Sequence, residues 1–105
     1  MSTFIGIAAS SGVSTINYTS INVYYHVQSS KLCQGLGTAS VVYVQGSGSS
    51  IDTILEAYSS STTIFSNTSF STSASSGYYS SVNGGSGSIY YDWGTGGWST
   101  SGSCP

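Results

Sequence analysis

Apolar and polar residues alternate most cleanly over residues 20–28, where Ile21, Val23, Tyr25 and Val27 fall on one side and Asn22, Tyr24, His26 and Gln28 on the other. A period of two sends the two sets to opposite faces of a β-strand, so one face is core and the other is wet or meets a partner. Residues 39–45 (ASVVYVQ) predict a second strand, GSGSS after it a flexible turn, and residues 52–58 (DTILEAY) the returning strand. Leu55, Glu56 and Ala57 are good helix formers, which leaves a short helix there as the alternative. Shorter runs at 63–65, 77–80, 88–93 and 98–101, with 16–18 in front, bring the total to seven or eight strands at turn-spaced intervals. That is the pattern of an all-β, antiparallel β-sandwich or small barrel. Nowhere does a 3.6-residue period persist for three turns, so no strong helix is expected. The Ser/Thr-rich residues 66–76 read as a long surface loop, since strands follow them.

This places the β-sandwich domain at residues 20–105 and leaves residues 1–19 as an N-terminal arm. The arm opens MSTFIGIAASSG; its Phe4, Ile5 and Ile7 are apolar enough to seek a neighbouring subunit, with strand addition to an exposed edge as one route. Tyr24 and His26, on the polar side of the clearest strand, are further candidate interface residues.

Composition removes several functions. At 105 residues the chain has room for one domain with a modest core. Only 4% of its residues are charged, yet strand-forming aliphatic and aromatic residues are plentiful, which separates it from charge-rich disordered chains. Lys31 is the single basic residue, so neither nucleic acid nor anionic lipid finds an electrostatic footing. No apolar run approaches the length of a transmembrane helix, and the first ten residues lack the basic start of a signal peptide.

The chemistry-bearing residues are few. His26 is the only histidine, and Asp52, Glu56 and Asp92 are the only acids; none lies in a recognisable catalytic motif. His26 reads as an exposed or interface residue and Asp92 as the opening of a Gly-rich turn. NGGSGS and GTGG lack the Lys and the strand-to-helix setting of a phosphate loop and read as turns. Sequons at Asn17 and Asn67 carry meaning only in a eukaryotic secretory setting. No enzyme activity, cofactor or metal is expected.

Cys33 and Cys104 are the only cysteines and have no companions at metal-ligand spacing. Paired, they would close a loop of about 70 residues and stabilise the fold by roughly 4 kcal/mol on the chain-entropy model. The position of Cys104 favours that pairing, because an unbridged tail would fray; two buried free thiols are the other reading.

The order GYYS, YYDW, GW, SGSC in the second half is similar to a domain common in structural proteins of tailed bacteriophages, over residues 32–104. The resemblance implies a non-enzymatic virion component, such as a capsid decoration (cement) protein or a minor tail or neck part. Its partners would be other virion subunits, with homo-oligomers formed through the strands and the aromatic face. INVYYHVQSS and WGTGGWSTSG also resemble pieces of fucose-binding propeller lectins, whose sites grip the sugar with an arginine that this chain does not have. A carbohydrate-binding module is therefore the alternative, with Trp93 and Trp98 as its sugar-stacking platform. A simpler role for two Trp five residues apart across a tight turn is a cross-strand pair that holds a hairpin.

Overall fold

The computed structural model describes residues 17–46, 51–94 and 97–105. The arm residues Phe4, Ile5 and Ile7 lie outside the described residues. The alternating stretch forms strand β1, Tyr18–His26, whose first two residues fall inside the segment assigned above to the arm. It is followed by helix α1 (Ser29–Cys33), strand β2 (Thr38–Gln45), helix α2 (Ile54–Ser59), and strands β3 (Gly77–Ser80), β4 (Ile89–Gly94) and β5 (Gly97–Ser103). All five strands belong to one antiparallel sheet in the order β2-β1-β3-β4-β5.

The protein is mostly antiparallel β, as the alternation implies, but the described strands form one open sheet and not two stacked ones. Its inner face is covered by α2 and by the loop after it. Ile21 and Val23 of β1, Val42 and Val44 of β2, Tyr79 of β3, and Tyr91 and Trp93 of β4 pack there against Ile54, Ala57, Ile64 and Ala74. Register explains the grouping: Ile21 stands opposite Val42, and Tyr79 opposite both Tyr25 and Tyr91. Val27 lies past the end of β1 and is exposed, so it does not join its alternating partners in the core.

Residues 52–58 are not the returning strand. Thr53 caps α2 by accepting the Glu56 N–H on Oγ1 at 3.1 Å, while Glu56 Oε1 accepts the Asp52 N–H at 2.6 Å. The first bond satisfies an N–H that a helix start leaves open, and the second ties the residue before the cap to the first turn. Ile54 and Ala57, three apart, then face the core on one side of the helix. At the other end the Thr62 N–H donates to Ala57 O and the Ser61 N–H to Tyr58 O, with Ser61 in the left-handed region at φ 55°. α1 closes with the same pair of bonds, from Leu36 to Lys31 and from Gly35 to Leu32, around Gly35 at φ 79°. Of the strand expected at 63–65, only Phe65 pairs, as an isolated bridge to Tyr43 and to Ser73.

The outer face carries Asn22, Tyr24 and His26 of β1, and α1 lies on part of it. Leu32 of α1 is 1% exposed, outside the main core, and converges with Tyr24 and Asn83 on Gly37. A disulfide joins Cys33 at the end of α1 to Cys104 just after β5, with Cα atoms 5.5 Å apart. The pairing favoured by the terminal position of Cys104 is thus present, and it fastens the last strand's exit to the first helix.

Candidate interaction surface

Four aromatic side chains of the inner face end in a polar head, and each head finds a carbonyl in the segment that crosses the sheet. Trp93 Nε1 donates to Ala74 O at 3.0 Å, the Tyr79 hydroxyl to Ser75 O at 2.5 Å and the Tyr25 hydroxyl to Ser76 O at 2.6 Å. Three consecutive carbonyls are therefore taken by three neighbouring strands, β4, β3 and β1. Trp98 Nε1 reaches further along the same segment, to Thr62 O at 2.9 Å. A loop lying on a sheet would otherwise bury unpaired carbonyls, and these donors satisfy them.

Trp93 and Trp98 are register partners in the last hairpin, with ring centroids 4.8 Å apart. Trp93 is 1% exposed and presents no ring face for a sugar. Trp98 is half-buried and meets Tyr58, Tyr79 and Tyr91 edge-on as well as Trp93. The rings on which the carbohydrate reading relied are occupied in holding the hairpin and the loop.

The titratable residues are spread over both faces. Asp52 and Glu56 serve the start of α2 on the inner side. His26, Tyr78 and Asp92 form a cross-strand row on the outer face, His26 paired with Tyr78 and Tyr78 with Asp92. Two strand spacings, roughly 10 Å, separate the ends of that row. His26 Nδ1 accepts the Gln28 N–H at 2.9 Å, which leaves the other ring nitrogen to carry the proton in the neutral imidazole. Among the described residues no three His, Cys, Asp or Glu side chains gather into a metal-holding group.

Tyr24 borders a shallow outer-face concavity of about 490 Å³, lined also by Asn22, Ala39, Val41 and Ser81. Val41 lines a second, smaller groove of about 100 Å³ on the inner side, between β2 and the crossing loop at Ser66 and Ala74. It is thus a lip shared by both hollows and is 42% exposed. The alternation of one dry and one wet face along β1 could not disclose this edge, because it depends on where the loop after α2 leaves β2.

The two sheet edges differ. On β5 the register slips between Tyr91, opposite Ser101, and Trp93, opposite Trp98, so the edge strand carries an extra residue. Such a bulge bends an edge and interrupts further pairing. On β2 the Tyr43 N–H and C=O exchange bonds with Phe65, both at 2.8 Å. Alternation along the strand turns the N–H and C=O of Val41 and Ala39 to that same side, where no partner meets them among the described residues. The hairpin around Phe65 turns away at Ser66, whose N–H donates to Thr72 O at 2.9 Å, and so leaves this half of the edge uncovered.

No protein-family model, curated protein or solved structure matches this chain.

Proposed function

We propose that this chain is a non-enzymatic structural protein of a virus particle, of the bacteriophage kind implied by the resemblance of residues 32–104, and that it acts through protein–protein contacts. The observation that carries the reading is the surface: Val27, Leu36, Leu55 and Val82 stand 46–62% exposed on a domain in which 4% of residues are charged. Apolar side chains displayed on a surface with so little charge favour close packing against other subunits, since little same-sign repulsion opposes it.

The role is tested on purified particles. Quantitative mass spectrometry should find the chain at a fixed ratio to the major shell protein after washing at high salt. Its absence from the washed particles, or a ratio that varies between preparations, refutes the assignment. A glycan array reports on the carbohydrate alternative, and selective binding that persists in Trp98→Ala would move that role to the tyrosines of the outer face.

A further inference from the structure

We propose that the uncovered half of the β2 edge accepts residues 4–9 (FIGIAA) of a second copy as an added antiparallel strand. The inference rests on the reading of the chain as an assembly component, because it names the contact through which copies would join. Three observations meet at this edge. Ala39 and Val41 present backbone donors and acceptors outward, in line with the Tyr43 groups that already bond Phe65. Val41 forms the lip of a hollow on each face, so an added strand would have somewhere to place both of its side-chain rows. No charged residue stands on β2 to obstruct an incoming strand.

The chemistry of the occupant follows from those hollows. Alternation places Ile5 and Ile7 on one face of a strand and Phe4 and Ala8 on the other. The first pair would enter the inner groove beside Val42 and Ala74, and the second would lie on the outer side beside Val41 and Ala39. Residues 1–30 carry no Asp, Glu, Lys or Arg, so burying this stretch desolvates no charge.

Geometry favours a second copy over the same chain. Asn17 O accepts the Gly46 N–H, at the end of the β1/β2 pair opposite Thr38. Seven residue steps along the strand, from Gln45 to Thr38, are about 23 Å. The nine residues 8–16 of the same chain reach about 30 Å when fully drawn out. They would have to cover that distance in reverse and also pass around the hairpin at 66–72. The same segment from a neighbour has no such detour.

The test uses the full chain and two complementary variants. Ile5→Asp/Ile7→Asp disables the donor segment and leaves the edge intact. Val41→Pro removes the outward N–H and leaves the segment intact; proline is tolerated at an edge position whose N–H faces away from the sheet. Sedimentation velocity should show the unaltered chain associated, each variant monomeric, and an equimolar mixture of the two variants forming a heterodimer. Amide exchange at Ala39 and Val41 should slow only where association occurs. Near-UV circular dichroism of the Trp93–Trp98 pair reports whether each variant is folded, and Ala39→Pro replaces Val41→Pro if the latter is not.

A monomeric unaltered chain overturns the inference, as does a mixture that fails to associate while both variants are folded. A monomer in which both amides are protected assigns the edge to the chain's own segment. Loss of association in Val41→Pro alone assigns it to symmetric edge pairing. If the unaltered chain stays monomeric yet is found in washed particles, only the contact between copies falls and the structural role stands. If it self-associates yet is absent from particles, the reverse holds.

Discussion

Trp93 and Trp98 face one another across the last hairpin, yet their indole N–H groups diverge to Ala74 and Thr62, near the two ends of the loop that covers the sheet. The pair therefore fastens the second layer of the protein to the first. Trp93→Ala removes a fully buried ring and leaves the Ala74 carbonyl unpaired, and should lower the unfolding free energy by about 3–5 kcal/mol. Trp98→Ala removes a half-buried ring and should cost about 2 kcal/mol. Urea denaturation measures both; equal and negligible losses would show that the loop is held by something else.

The disulfide makes a second prediction. Cys33 and Cys104 are 71 residues apart in sequence, and a cross-link closing so long a loop is worth roughly 4 kcal/mol through the unfolded chain. The Cys33→Ser/Cys104→Ser variant should lose about that much stability. Thiol titration of the denatured, unreduced protein should find no reactive groups, and two groups per chain would contradict the bridge.

Alkaline pH should expose the tyrosines. Burial, and then the neighbouring Tyr25 hydroxyl, raises the Tyr79 hydroxyl far above its ordinary range; burial and then Tyr58 raise Tyr91. Both folded values lie above the unfolded ones, so the stability linked to these groups is fully present below about pH 10. Above that, the unfolded chain releases protons that the folded chain retains, and stability falls as pH rises. Denaturation midpoints from pH 8 to 11.5 should decline, and Tyr79→Phe should flatten the decline. That variant also loses a donor to Ser75 O and should start about 1–2 kcal/mol lower at neutral pH.

Ser61 offers a substitution that should stabilise. It holds φ 55° at the end of α2, where Gly35 performs the equivalent turn after α1. Ser61→Gly should remove about 1 kcal/mol of left-handed strain, less the entropy that glycine adds to the unfolded chain. Gly84→Ala should do the opposite, because its φ is 85° and a Cβ would sit 2.6 Å from the Gly35 backbone nitrogen. Thermal melts of the two variants should shift in opposite directions.

How much of this was legible in the sequence depends on how local each signal is. β1 was readable because Ile21 and Val23 alternate with Asn22 and Tyr24 within a single stretch. α1 is too short for any period to register; its only trace is Gly35 after a few helix-compatible residues. α2 misleads because DTILEAY mixes strand and helix formers, although Thr53 followed three residues later by Glu56 is a helix-start signature. The Trp pairing followed from spacing across a turn, but its carbonyl partners lie 19 and 36 residues away. The open half of the β2 edge depends on a hairpin that leaves at Ser66, and no local pattern encodes where a loop departs.

The cross-link also governs how the domain would bear tension. A force drawn between Asn17 and Pro105 passes through β1 and α1 to Cys33, across the sulfur atoms to Cys104, and out. β2 to β5, with α2, hang inside the covalent ring and carry no load along their backbones. Only the 16 residue steps from 17 to 33 can pay out, about 55 Å when taut, against about 300 Å for the same chain unbridged. β1 is hydrogen-bonded on both sides within the sheet, so the short path that takes the strain is also one of the most firmly seated strands.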